Sequence, residues 1–466
     1  MTTWALGVAV IEVLRSRSTL QQSPVDTAFV IGCGWFVGQF LVTLWMRMLA
    51  VASVPFAIST VAVPVAAVAI AGFVAHRLGR RRATWSIANG IKRRISPDHV
   101  PARQRMLWFA LLGWVTLRFV LLLNEVLQRP LYPWDAWTQW STKARVWYEL
   151  KTIVPFVTAS EWFAAPGGGA YFDAAPHYPA TIPLTQVWSA LLLGRWDDAL
   201  INLPWWLTAV AFGVAIYGFL RQQEMEALFA LVGAWLVLSL PIFDAHVALA
   251  GYADLAMSTY FTLTALAAFR AVRTRSAADA LLALLLGCAC ILIKNPGKVW
   301  LLMLLPGVVA AGVPRYGNRF AAGCFAAAAI LAFVLTQHGV TVLGYRLKLD
   351  YDMPWRALLD AWFAYANWHL LFYGAAAMAV IAWRHLLSRE LAPLTITVAA
   401  GIAFLIFGFA FTNARVWVED QSTVNRATLH LAPLIIVWMI MAFRAWSARA
   451  ESGSADILVP AQRGAS

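Results

Sequence analysis

Residues 391–411 read LAPLTITVAAGIAFLIFGFAF, a run without one Asp, Glu, Lys or Arg. As a helix it would be about 30 Å long, the thickness of a bilayer's hydrocarbon core. A soluble surface helix keeps one polar face, and this segment has none. The same reading recurs on both sides of it, near 29–48, 53–76, 106–126, 198–220, 225–243, 253–270, 279–293, 298–314, 320–340, 366–386 and 427–446. The stretch 183–193 is too short to span and is expected to lie at the membrane surface or dip in. Across 466 residues, 61% are apolar and 13% charged, against about 45–50% and about 25% in soluble domains. That excludes a water-soluble enzyme, a disordered scaffold and a collagen-like chain. The 24 Trp residues suit the membrane–water interface, where the ring is apolar and the N–H stays wet. The expectation is an all-α polytopic membrane protein of about 12 transmembrane helices.

The formal charge of +13 reads as loop asymmetry and not as a nucleic-acid footprint, because cytoplasmic loops collect Lys and Arg. The linker 77–105 carries nine basic residues, from Arg77 to Arg105. Placing it in the cytoplasm gathers most of the 36 Lys and Arg on that side, the Arg270/Arg273/Arg275 cluster included. Both termini are then cytoplasmic. No basic n-region or small-residue cleavage site marks a removable signal peptide. Cys33, Cys288, Cys290 and Cys324 all fall in apolar runs and read as core residues. Three regions follow: 1–105, a two-helix extension with its basic linker; 106–446, a transmembrane core with the outer loop 127–183; and 447–466, a cytoplasmic tail expected to lack structure.

The outer loop is rich in Trp, Tyr, Pro and Gly, and loops of that length are usually functional. Its segment 133–147 reads PWDAWTQWSTKARVW. At helical spacing Trp137, Trp140, Ala144 and Trp147 share one face, and Asp135, Gln139, Thr142 and Lys143 the other. This predicts an interfacial helix, Trp face in lipid and polar face towards a site. Asp135 reads either as its N-cap or as a base at a cavity mouth. Lys143 and Arg145 read as headgroup anchors or as a phosphate cradle.

Asp173 and His177-Tyr178 precede the next apolar run, and Asp254 stands at the outer end of a span, where a carboxylate needs a wet cavity or a partner. Lys294-Asn295-Pro296-Gly297-Lys298 separates two apolar runs as a tight hairpin or a helix break. Arg415 and Arg426 bracket the last outer loop. The sequence demands no cofactor; two Asp/His pairs admit a divalent cation without matching a specific motif. No Walker loop, dinucleotide glycine pattern or nucleophile elbow is present. Gly34 and Gly38 are a helix-contact candidate.

Trp134-Asp135-Ala136 with Lys143-Ala144, His177-Tyr178-Pro179 with Pro183-Leu184, Gly251-Tyr252-Ala253-Asp254-Leu255, Lys294-Asn295-x-Gly297 and Arg426-x-x-Leu429-His430-Leu431-x-Pro433 together resemble the GT-C glycosyltransferases. The likeness covers 106–446 and is of the protein-mannosyltransferase and aminoarabinose-transferase kind. It implies a polyprenyl-phosphate-sugar donor, a cell-envelope acceptor that is lipid, glycan or protein, and a site on the periplasmic side of a bacterial inner membrane. It implies Asp135 as catalytic base, with Asp173 and Asp254 as further acids, and binding roles for Lys143, Arg145, His177, Tyr178, Lys294 and Arg426. The first two spans precede this likeness and receive no role from it. Two other classes fit the same hydropathy: an O-antigen ligase or polymerase, and a transporter or flippase of lipid-linked sugars. The ligase would carry its large loop late in the chain. The transporter would place paired charges near the midplane, where Arg118 is the main candidate.

The topology has a direct test. In a background without native cysteines, Gly168→Cys should react with an impermeant thiol reagent added from outside, and Ser96→Cys should not. Labelling at Ser96→Cys alone would invert the orientation.

Overall fold

A computed structural model describes residues 1–16, 26–79, 101–164, 169–313, 315–342, 345–348 and 354–457. Residues 80–100 of the basic linker, Gly168 and the tail from 458 lie outside them. The chain is all-α, with twenty α-helices among the described residues and two small strand pairs. It divides into two compact units, Met1–Leu301 and Leu302–Ser466, so the division falls inside the expected 106–446 core.

The first unit contains α1 (Thr2–Ser16), α2 (Asp26–Val51), α3 (Ile58–Gly79), α4 (Ala102–Gln128), α5 (Ser141–Leu150), α6 (Ala159–Ala164), α7 (Thr181–Leu193), α8 (Leu203–Gln222), α9 (Ala227–Leu238), α10 (Pro241–Ala248), α11 (Asp254–Thr274) and α12 (Ala277–Ile293). Helix α13 (Gly297–Gly312) crosses the boundary. The second unit holds α14 (Gly317–Gln337), α15 (Trp355–Leu359), α16 (Leu371–Ile381), α17 (Ala392–Phe411), α18 (Val416–Glu419), α19 (Ser422–Leu429) and α20 (Ala432–Ile457). Helix α20 therefore runs into the stretch expected to be an unstructured tail.

Six helices are long and apolar enough to cross a membrane: α2, α3, α4, α8, α11 and α17. The pairs α9–α10, bent by 65°, and α19–α20, bent by 47°, raise the number to eight if each is one span. This is fewer than the expected twelve. The runs near 279–293, 298–314, 320–340 and 366–386 form shorter apolar helices, since hydropathy alone does not separate a span from a buried core helix. Helix α7 corrects a second expectation. It lies inside the first unit, with Leu184, Val187, Trp188 and Leu191 in one apolar cluster with Ala144 and Trp147 of α5 and Met46 of α2. Its polar residues Thr181, Thr185 and Gln186 are buried with it, hydrogen-bonded to Arg47, Gln39 and Asn202.

Helix α2 is the hub of the first unit. It is 78% buried along its apolar window, against 17% for α3 and 11% for α4. The sequence reading overlooked α1, which at 15 residues is short and carries Glu12 and Arg15. It crosses α2 where Gly7 meets Gly34 and Gly38, so closely that a methyl at Gly7 would run into the Gly34 carbonyl. Small residues let backbones approach where lipid provides no hydrophobic drive. On other faces of α2, Trp35 Nε1 donates to Thr208 Oγ1 of α8 at 2.9 Å, Gln39 Nε2 to Thr185 Oγ1 of α7 at 2.8 Å, and Tyr260 of α11 donates its hydroxyl to the Phe36 carbonyl at 2.7 Å. The N-terminal helices are thus part of the unit's core.

In the second unit, Trp438 Nε1 of α20 donates to Thr395 Oγ1 of α17 at 2.9 Å. Lys348, just past the hairpin formed by Val340–Val342 and Tyr345–Leu347, exchanges hydrogen bonds with Asn413 in the segment between α17 and α18.

The glycine crossing predicts that Gly7→Ala loses about 1–3 kcal/mol by overpacking, read as a lowered Tm in detergent. Gly113→Ala on α4 faces open space and should leave Tm unchanged or raise it slightly.

Candidate functional site

The segment between α4 and α7 is ordered through its described length. Helix α5 is preceded by a five-residue π turn, Ala136–Trp140, and Phe156–Val157 pairs in parallel with Tyr171–Phe172. A π turn holds one residue more than an α turn and shifts the register of all that follows. Here it separates Trp137 from the face of Trp140, Ala144 and Trp147 that a wheel of constant pitch gives it. Trp140, Ala144 and Trp147 are buried as a face, but against protein and not lipid, while Trp134 and Trp137 stay exposed at 68% and 45%. Lys143, assigned to the polar face, is buried at 2% exposure.

Asp135 sits in the first turn with helical φ and ψ of −64° and −25°, and its carboxylate makes no cap hydrogen bond. The N-cap explanation of this residue is therefore removed. Its side chain is half-buried, with Gln139 Nε2 3.4 Å from Oδ1. The next residue, Ala136, packs on Gly251, whose φ is +111° and where a Cβ would lie 2.6 Å from that of Ala136. Only glycine accepts both that backbone and that approach. The corner 251–254 is held from the other side by Trp205 Nε1, which donates to the Tyr252 carbonyl at 2.8 Å.

Two of the expected acids carry lysines. Lys143 Nζ lies 2.8 Å from Asp173 Oδ2 and donates to the Ala175 carbonyl at 2.7 Å, while the Ala175 amide donates to Asp173 Oδ1 at 2.5 Å. Burial pushes the Lys143 ammonium below the ordinary lysine range, and Asp173 opposes that shift. Lys294 Nζ lies 2.6 Å from Oδ1 of Asp254, a residue with no exposure at all. It sits in the tight turn between α12 and α13, where the Gly297 amide donates to its carbonyl at 2.9 Å, so the hairpin reading of 294–298 holds. Tyr178 packs its ring 5.1 Å from that of Trp140. Ser141 donates to Gln186, which donates to Asn202, linking the π turn to α7 and to the turn before α8.

Other expected residues lie apart. Arg145 is exposed, pairs with Glu149 at 2.9 Å and rests over Trp196. His177 is exposed. Arg426 belongs to the second unit, on α19 just before the 47° bend, beside Asn425 and Thr428, which accept hydrogen bonds from Trp368 and Trp362. Arg118 pairs with Asp244 at the start of α10. Among the described residues no three His, Cys, Asp or Glu side chains gather closely enough to hold a metal ion.

A narrow cleft of about 30 Å³ lies between α2, α7, α8, α11 and α12, lined by Gln39, Thr181, Thr185, Trp205, Tyr260 and Ile293 among others. The sequence reading missed Gln39, which lines it, and Arg47, which donates to the lining Thr181. Their signal was present: they interrupt the apolar run 29–48.

No family model, curated protein or solved structure matches this chain. The arrangement joins one accessible carboxylate to two neutralised buried pairs and a cleft between spans. Losing one partner of a buried pair costs about 3–5 kcal/mol. Lys143→Met should therefore lower Tm markedly, and adding Asp173→Asn should restore most of it, since Asn can still accept from the Ala175 amide. An unchanged Tm in the single variant would remove the structural role of the pair.

Proposed function

We propose that the protein is an inverting membrane glycosyltransferase that uses a polyprenyl-phosphate sugar and a cell-envelope acceptor, with Asp135 as base. The observation that supports it most is the packing of Ala136 on Gly251. It puts the Trp134-Asp135-Ala136 segment beside the corner that carries Asp254, two stretches over 100 residues apart in the chain. Both belong to the motif set that resembles the GT-C enzymes.

In the proposed reaction an acceptor hydroxyl loses its proton to the Asp135 carboxylate, and its oxygen attacks the anomeric carbon opposite the phosphate. The bond from that carbon to the phosphate oxygen breaks, and its electron pair leaves with polyprenyl phosphate. Phosphate is a good leaving group, so no second carboxylate is needed as acid, unlike glycoside hydrolysis. Asp173 and Asp254 are fully occupied by Lys143 and Lys294. Their proposed part is to hold the walls of the site, which leaves Asp135 as the carboxylate within reach of an acceptor. A bilayer partner is supported by the six to eight apolar helices.

The Arg118–Asp244 pair beside the bend of α9–α10 favours a second reading, a transporter of lipid-linked sugars. The two differ in outcome: a transporter returns its sugar still attached to lipid.

The test is transfer from a panel of undecaprenyl-phosphate hexoses and pentoses to native membranes, read as release of undecaprenyl phosphate. Asp135→Asn should keep Tm and lose roughly 10²–10⁴-fold in rate. A stable Asn variant with near-normal transfer would move the search for the base elsewhere. Donor translocation without release would favour the transporter.

A further inference from the structure

Arg47 lies near the end of α2, inside an apolar span. Its Nη2 donates to Thr181 Oγ1 at 3.0 Å and to the Leu292 carbonyl at 3.4 Å, both neutral. Its Nε is buried and has no hydrogen-bond partner. Among the described residues the other cations of this region each hold a carboxylate: Lys143 has Asp173, Lys294 has Asp254 and Arg118 has Asp244. Arg47 holds none. A half-buried guanidinium in a span is costly unless an anion joins it.

The surroundings favour an anion further. Thr181 opens α7, a 13-residue helix whose N-terminus carries no side-chain cap. Its first-turn amides at Thr181 and Ile182, position 183 being Pro, and its dipole add positive potential beside the guanidinium. Thr181 also lines the cleft between α2, α7, α8, α11 and α12. Two turns deeper on α2, Gln39 lines the same cleft at 6% exposure, and its Oε1 has no partner. Through Thr181, which lines the cleft, the guanidinium and the helix N-terminus stand at its edge. Within it is a buried carbonyl oxygen ready to accept from a hydroxyl.

We propose that Arg47, with the N-terminus of α7, binds the phosphate of a lipid phosphate monoester or glycosyl phosphate, and that Gln39 accepts a hydroxyl of its head. The guanidinium fork matches phosphate oxygens bidentately, which an ammonium does not. This gives the N-terminal extension a direct part in ligand recognition. The lipid's identity rests on the glycosyltransferase reading; the anion site does not.

The probe is farnesyl phosphate, added to the full chain in phosphatidylcholine nanodiscs, with inorganic phosphate as the free-anion comparison. Farnesyl phosphate should bind and raise Tm, and Arg47→Gln should weaken it at least about 30-fold. If Arg47→Gln does not fold, Arg47→Lys keeps the charge and should fold, binding about tenfold more weakly for want of the fork. Equal affinity in the wild type and either folded variant overturns the site and leaves Arg47 a headgroup anchor. Inorganic phosphate binding as tightly as farnesyl phosphate overturns the lipid assignment. The probe carries no sugar, so binding through Arg47 without any sugar transfer keeps the site and removes the glycosyltransferase reading. Transfer with wild-type donor affinity in Arg47→Gln does the reverse.

Discussion

A carboxylate shut away from water is stable only when a cation is shut in with it, and either charge alone is destabilising by several kcal/mol. Among the described residues the first unit holds two such Lys–Asp pairs, and each ties together segments that the chain reaches at different times. Asp254 and Lys294 join the start of α11 to the end of α12. Lys143 and Asp173 join α5 to the extended stretch that leads into α7. Neither acid can drift from its lysine cheaply, so the loops carrying them are fixed as firmly as the helices they connect. The course of the segment between α4 and α7 rests on that constraint.

The same pairs alter the charge balance of the site. With both lysines neutralised, the half-buried guanidinium of Arg47 on α2 is held by neutral partners, the Thr181 hydroxyl and the Leu292 carbonyl. In the proposed reaction a departing phosphate needs such a charge held in place beforehand and not recruited.

Much of this was legible beforehand. Apolar run length revealed helices long enough to cross a membrane, since a helix satisfies its own backbone hydrogen bonds in lipid. Gly34 and Gly38 were legible as a contact, and their partner Gly7 was not, because α1 is too short to announce itself by hydropathy. Asp135 stood out, but the direction of its helix face did not. Lys143 stands four residues before Trp147 and so borders the buried face at ordinary helical pitch, but a lysine there reads as surface until its partner Asp173 is known. The Lys–Asp pairings also eluded sequence reading, since each residue was visible singly and the pairing exists only in three dimensions. The span count ran high for a related reason: α12 and α13 are as hydrophobic as true spans, and their shortness comes from the turn at Lys294–Pro296 that separates them.

Helix α2 has a consequence for how the molecule is made. It is synthesised well before α8, which closes one of its faces where Gly218 meets Phe29 and Gly32 meets Ala211 and Ala215. Ribosome and translocon must deliver more than 150 further residues before that partner exists. In water such an interval would leave an apolar helix exposed and prone to aggregation. In a bilayer the wait is nearly free, because acyl chains solvate Phe and Val about as well as another helix does. The glycine crossing with α1 is different, since both strips are finished within the first 50 residues. The N-terminal pair can therefore assemble at once and stand in the membrane as a preformed wall, against which the rest of the first unit is laid down in order of synthesis.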